Sequence, residues 1–321
     1  MGDELFATFR LQAALLFVDI SGFTNLCTRV DIDALQRHIN TYFGSIIRLV
    51  HAFGGDVVRF AGDAVLCSWS VRDGSDALPL ATRAACLCGL DIADKCARYE
   101  VPEADAQLSI HAGVGAGAIS VFRVGNASRW EIFLAGDPLR QVAEAESASA
   151  LGEVSCSPEA WAFVPDMFEA EERAMSTSGG LMWCLQSLVD GRDDLRVDSS
   201  MFGGSMLVAQ EQLDNLLARK IVHAGTSEAY VHESVRAKIV AELDVARLGE
   251  RRAVVTAFAM VDGLSDALAS GRAGLEAVQR CIATALEIIQ RRRGLLRQYI
   301  LDDKGMVIIW TFGLAQVRDR E

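Results

Sequence analysis

The chain has 321 residues, 51% of them apolar and 23% charged, with a formal net charge of −12. That length accommodates two domains with cores of their own, and the acidic balance excludes a general nucleic-acid binder, which carries a basic face. No apolar run approaches the roughly 18 residues of a membrane span. The acidic start, Met1 to Phe6, lacks the apolar core of a signal peptide, and Phe6 stands where a myristoylation signal has Ser or Thr. Eight cysteines without a Cys-x-x-Cys pair read as reduced thiols rather than a zinc site or a disulfide framework. The expected placement is cytoplasmic.

Taken in chain order, Ala14–Val18 is a continuous apolar run, as in a strand covered on both faces. Leu35, Ile39, Tyr42, Phe43, Ile46, Ile47 and Val50 recur at helical spacing, and Gly54-Gly55 ends that helix. Asp56–Phe60 and Ala64–Trp69 flank Ala61-Gly62-Asp63 and read as a tight hairpin with Asp63 at its turn. Asp76–Tyr99 is rich in alanine and leucine and reads as a helix packed through its cysteines. Leu108–Val114, Ala118–Val124 and Glu131–Leu134 read as strands, and Asp137-Pro138 as the N-cap and first residue of a helix. From 166 to 249 the pattern changes to a partly helical connector, with loops at Met175–Gly180 and Asp190–Ser205 and helical periodicity over Met206–Ile221 and Ala229–Leu248.

The opening pattern then returns. Ala253–Met260 reads as a strand, Leu275–Ile289 as a helix ending at a solvated Arg291-Arg292-Arg293, and Tyr299–Trp310 as a strand pair turning at Asp302-Asp303-Lys304-Gly305. Trp69 and Trp310 are 310 − 69 = 241 positions apart, and at that offset Gly22 meets Gly263. The expected division is therefore a first domain over 1–165, the connector over 166–249, and the N-terminal half of a second copy over 250–321. At that ungapped offset Asp19 meets Met260 and Asp63 meets Lys304, so the second copy is expected to have lost both carboxylates.

Those two aspartates are the chemical centre of the chain. Asp19 and Asp63 each stand at the end of an apolar strand beside a glycine-containing turn, well placed to hold a hard cation against a phosphate chain.

The segments Leu16-Phe17-Val18-Asp19-Ile20-Ser21-Gly22-Phe23-Thr24 and Phe53-Gly54-Gly55-Asp56-Val57-Val58-Arg59-Phe60-Ala61-Gly62-Asp63-Ala64 resemble the two metal-binding segments of class III nucleotide cyclases. Within that family the chain resembles the soluble, bicarbonate-responsive adenylyl cyclases, as do Ala229–Val235 and Asp303-Lys304-Gly305. The resemblance implies a ferredoxin-like α+β domain pair with active sites at the interface between the two domains, the second incomplete here by the length of the repeat, with ATP as substrate and cyclic AMP and pyrophosphate as products. It implies two Mg²⁺ or Mn²⁺ ions on Asp19, Asp63 and the Ile20 carbonyl. It also implies a triphosphate cradle at Gly22, Phe23 and Thr24, and a basic phosphate contact at His111.

The chain departs from the pattern where the family's partner domain supplies an asparagine and a transition-state arginine. Arg140 stands in the asparagine position and Glu144 in the arginine position, so the partner half-domain is expected from the rest of a longer chain or from another subunit. Arg59 takes the position of a bicarbonate-binding lysine, but Ala143 replaces the companion arginine, and bicarbonate activation is not expected. The alternative is a non-catalytic cyclase-homology scaffold or nucleotide-sensing module in a larger assembly; a cilium or flagellum goes with that second reading.

Overall fold

The computed structural model describes residues 8–72, 77–126, 129–174, 180–189, 253–263, 272–302 and 305–313. They fall into two compact units. Among the described residues, one is built on 9–120 and 135–189; the other takes Thr8, Val121–Leu134 and those from 253 onward.

In the larger unit, β1 (Thr8–Ser21) sends Ala14, Leu16, Val18 and Ile20 into a core shared with the helices. Phe17 and Asp19 fall on the opposite face by the two-residue period of a strand. A short α1 (Phe23–Arg29) follows, then α2 (Ile32–Ala52), whose first turn is capped by the Asp31 carboxylate accepting the Ala34 N–H at 2.8 Å. As expected, α2 stops at the glycine pair. Gly54 takes φ +74°, and the Gly55 N–H donates to the Val50 carbonyl at 2.9 Å. Gly55 has a second duty: a Cβ there would lie 2.5 Å from the Trp69 ring, whose Nε1 donates to the Phe53 carbonyl at 2.8 Å.

The expected hairpin forms from β2 (Asp56–Ala61) and β3 (Ala64–Arg72), with Gly62 and Asp63 as its two-residue turn. In α3 (Leu78–Cys96), Cys86, Cys88 and Cys96 pack into the core, and the Cys86 and Cys156 sulfurs lie 3.4 Å apart. All eight cysteines are free thiols.

β4 (Tyr99–Val101) pairs with the start of β5 (Ala106–Asn126). The two strands expected at Leu108–Val114 and Ala118–Val124 are this single strand, which runs unbroken through Gly113, Gly115 and Gly117. β6 (Arg129–Ala135) returns from it. In α4 (Asp137–Ala148) the N-cap is Gly136 rather than Asp137, one residue earlier than the proline pattern placed it. β7 (Val154–Cys156) and the single-turn α5 (Pro158–Trp161) complete the first 165 residues.

The expected connector does not begin at 166. β8 (Phe168–Ala174) and β9 (Leu181–Leu188) join the same sheet, β9 pairing with β7 and β8 with β9. β7 is fully buried and needs a hydrogen-bonding neighbour on its second edge. β8 is the edge strand and carries Glu169, Glu171 and Glu172, and that charged pattern hid it from a hydrophobic reading. The sheet order is β2-β3-β1-β5-β7-β9-β8. Within it, β1-α2-β2-β3-α3-β5 in the order β2-β3-β1-β5 is the ferredoxin-like arrangement expected.

In the smaller unit, β10 (Val255–Val261), α6 (Arg272–Arg291), β11 (Gly294–Asp302) and β12 (Gly305–Phe312) make an antiparallel sheet of order β10-β12-β11. That is the order of β1-β3-β2. The tip of the β5–β6 hairpin belongs here. Gln279 on α6 accepts the Gly125 N–H at 2.9 Å and donates to the Gly125 carbonyl, and the Phe133 and Tyr299 rings lie 5.5 Å apart. The ungapped offset fails by two residues at the first strand. Trp69 faces Ala14 in one ladder and Trp310 faces Ala257 in the other. Five residues beyond Ala14 is Asp19, and five beyond Ala257 is Asp262, not Met260. The residue at that step of the second ladder is therefore an aspartate. The readings at 175–179 and 190–252 and at Asp303-Lys304 lie outside the described residues.

Candidate functional site

Asp19 and His111 share one face of the sheet. In β1 the even positions enter the helix-side core, and in β5 Leu108, Ile110 and Ala112 do the same, so Asp19 and His111 turn to the other side of neighbouring strands. That face is covered by α4, and glycine is what lets it come close. A Cβ on Gly113 would lie 2.2 Å from the Val142 carbonyl oxygen and 2.4 Å from the Glu146 nitrogen; one on Gly115 would lie 2.8 Å from the Pro138 carbonyl oxygen. Gln141 ties the helix down, its Oε1 accepting the Ala116 N–H at 2.8 Å and the Ser157 hydroxyl at 2.9 Å.

This packing delivers Glu146 to His111. Its Oε1 lies 2.6 Å from His111 Nε2, and Asp19 Oδ2 lies 3.4 Å from the same nitrogen. The other ring nitrogen, Nδ1, lies 3.4 Å from Ser21 Oγ. Among the described residues, Asp19, His111 and Glu146 form the group whose potential ligand atoms all lie within 4.8 Å of one another.

Burial pushes the Asp19 carboxyl above its ordinary range, and the Asp63 charge pushes the same way. His111 and the Ile20 N–H, which donates to it, only partly offset this. Burial also raises the Glu146 carboxyl, with the Asp19 charge adding to it against the pull of His111. Two carboxylates thus meet a single imidazole at this sheet end, an arrangement that favours a bound cation.

The other predicted residues divide between that point and its surroundings. Asp63 stands in the β2–β3 turn, two residues before Val65, which pairs with Val18, and its charge reaches Asp19. Ile20 has its side chain in the core. Gly22 takes φ +93° as the N-cap of α1, and its carbonyl accepts the Leu26 N–H at 3.0 Å; a Cβ there would meet the Gln107 carbonyl oxygen at 2.9 Å. Phe23 and Thr24 open α1, where first-turn N–H groups have no intrahelical partner. Arg59 lies on β2 opposite Leu66, which pairs with Phe17, so it shares the sheet face of Asp19. On α4, Arg140 is held by Asp137 at 2.8 Å and by Glu144 at 2.6 Å.

Sequence reasoning missed Glu146. The signal was present in Gly113-Val114-Gly115-Ala116-Gly117, three glycines on one face of a strand, which marks a close backbone approach.

The model of the adenylate and guanylate cyclase catalytic domain family matches residues 10–181. Adenylate cyclase type 10 of Mus musculus is 31% identical over 160 residues, covering 47% of this chain and 10% of that protein. The Homo sapiens protein of the same name is 29% identical over 160 residues, with the same coverage. An uncharacterized protein of Mycobacterium tuberculosis is 34% identical over 132 residues, 41% of this chain and 23% of its own length. The chain thus spans about a tenth of the adenylate cyclases it matches. Among solved structures, the adenylyl cyclase CyaB from P. aeruginosa aligns with TM-score 0.48 and 24% identity over 59% of this chain and 99% of its own. The guanylate cyclase domain of RhGC from Catenaria anguillulae, in complex with GTP, aligns with TM-score 0.49 and 17% identity over 57% and 100%.

Proposed function

Because the chain belongs to the adenylate and guanylate cyclase catalytic domain family, we propose that its larger unit is the nucleotide-binding half of an adenylyl cyclase, forming cyclic AMP and pyrophosphate from ATP. The observation that carries this reading is that Asp19, next to Val18, and Asp63, in the β2–β3 turn two residues before Val65, stand at one end of the same sheet, where Val18 pairs with Val65. Two carboxylates and the Ile20 carbonyl are hard oxygen donors that fit Mg²⁺ or Mn²⁺. Held by these residues, two such ions would supply acidity at the ribose 3′-hydroxyl and charge stabilisation at the α-phosphate. The chain's own part is to position the nucleotide. The Gly22 turn admits the β- and γ-phosphates against the first-turn N–H groups of Phe23 and Thr24, and Arg59 supplies positive charge on the sheet face it shares with Asp19.

The adenine preference follows the adenylate cyclases among the relatives, since both adenylyl and guanylyl cyclases align in structure. The transition-state arginine and ribose-orienting asparagine are supplied by a partner half-domain, because Arg140 and Glu144 satisfy each other on α4. The experiment is Mn²⁺-dependent binding of a ribose-labelled ATP, followed by fluorescence. Binding weakens at least about tenfold in Asp19→Ala and in Asp63→Ala if each removes a cation ligand. Unchanged affinity in both variants overturns the reading.

A second reading, a module that binds nucleotide without turning it over, is favoured by the same Arg140–Glu144 pair. Metal-dependent ATP binding with no cyclic AMP formed, even when a competent partner domain is added, selects it.

A further inference from the structure

Glu146 has no part in the two-aspartate scheme, yet it makes the shortest contact in the site. Three donor atoms meet there from three different elements: Asp19 on β1, His111 on β5 and Glu146 on α4. We propose that these three residues form a mixed nitrogen–oxygen cation site that takes a borderline divalent ion, of the Mn²⁺, Co²⁺ or Zn²⁺ class, in preference to Mg²⁺ and before any nucleotide binds. The inference rests on the reading of Asp19 as a cation ligand given above.

The 3.4 Å between His111 Nε2 and Asp19 Oδ2 is the spacing of two donors each about 2.1 Å from one tetrahedrally coordinated ion. The 2.6 Å between Nε2 and Glu146 Oε1 is a hydrogen-bond length, and it opens by about half an ångström or more when an ion replaces the shared proton. The imidazole is already oriented for this. Nδ1 faces Ser21 Oγ at 3.4 Å, leaving Nε2 for the two carboxylates, and ligating histidines are held in this way through the opposite nitrogen. The three side chains are 20%, 29% and 16% exposed for His111, Asp19 and Glu146, so the site is shielded but reachable by an ion. The approach of α4 over Gly113 fixes the position of Glu146 on rigid backbone rather than on a loop. Selectivity follows from the nitrogen. Imidazole suits first-row transition ions and zinc, whereas Mg²⁺ keeps an octahedral shell of oxygens and waters.

The test is titration of the nucleotide-free chain with Co²⁺, read by visible absorption, with Mg²⁺ as competitor and circular dichroism as the check on folding. One Co²⁺ binds per chain and survives a roughly hundredfold excess of Mg²⁺, as the Irving–Williams preference and the nitrogen ligand require. Affinity falls at least about tenfold in Glu146→Gln and in His111→Gln, each of which removes one ligand. The Asp63→Asn variant keeps the imidazole-dependent spectrum. Unchanged Co²⁺ affinity in both the Glu146 and His111 variants overturns the proposal, as does displacement by equimolar Mg²⁺. If that happens while Asp19→Ala and Asp63→Ala still abolish Mn²⁺·ATP binding, this site fails and the cyclase reading stands. If Co²⁺ binding needs His111 and Glu146 but the native chain binds no Mn²⁺·ATP, the site stands and the cyclase reading fails.

Discussion

Asp19 and Glu146 are held against one imidazole at an energetic cost that a cation would remove. Burial raises both carboxyls above their ordinary values of 3.8 and 4.5; the Asp63 charge adds to the rise at Asp19, and the Asp19 charge to the rise at Glu146. A carboxyl raised on folding contributes stability that is fully present below its unfolded pKa and is lost as pH rises through the folded one. In the presence of a chelator, Asp19→Asn therefore raises the melting temperature at pH 7, and the gain shrinks to nothing as pH falls toward 4. Thermal melts across that window check this; a variant less stable than the native chain at pH 7 would mean that Asp19 is a net stabilising partner of His111. At this scale the sequence was half legible. Asp19 and Asp63 declared themselves because each closes an apolar strand beside a glycine turn. Glu146 did not, because nothing local separates it from Glu144, two residues earlier on the same helix.

Among the elements, β5 and α4 decide the shape of the site. Their contact is a glycine stripe, and at Gly113 the nearest atoms across it are backbone, which cannot swing aside. Gly113→Ala places a Cβ at 2.2 Å from the Val142 carbonyl oxygen and must push the helix away, at a cost of about 3 kcal/mol or more. Gly62→Ala meets nothing within 4 Å and bears only the strain of φ +70°, about 1–2 kcal/mol. Urea denaturation orders the two, and the opposite order would show that α4 is not seated as described. The hairpin and α2 were readable because turn glycines and a helical period are local signals. The continuity of β5 was not, because the glycines that look like strand breakers serve the helix lying on them.

For the whole molecule, the larger unit carries the Asp19 face and the smaller one repeats only the order of β1, β3 and β2. β1 is an interior strand with Leu15 fully buried, while its counterpart β10 is an edge strand among the described residues, with Phe258 67% and Met260 58% exposed. Turnover under the proposed function thus depends on a half-domain bearing the asparagine and arginine that α4 lacks. Adding a class III domain that supplies them, but has lost its own metal aspartates, raises cyclic AMP formation from Mn²⁺·ATP by about a hundredfold or more, the usual worth of one charge-stabilising donor. Asp63→Ala on this chain abolishes the gain. Equal output with and without the added domain would place the missing arginine elsewhere in this chain.

The sequence by itself determined the α+β class, the two strand-end aspartates, the turn at Gly62-Asp63 and the recurrence of one strand–helix–hairpin pattern, since each depends on residues close together in the chain. Only the tertiary structure decided that β8 and β9 extend the sheet, that Asp262 rather than Met260 answers Asp19, and that Glu146 meets His111. Those three depend on which edge a strand pairs with, on cross-strand register and on how closely a helix approaches a sheet. They are set by contacts between distant segments, where a slip of one residue reverses every face and a slip of two moves every partner.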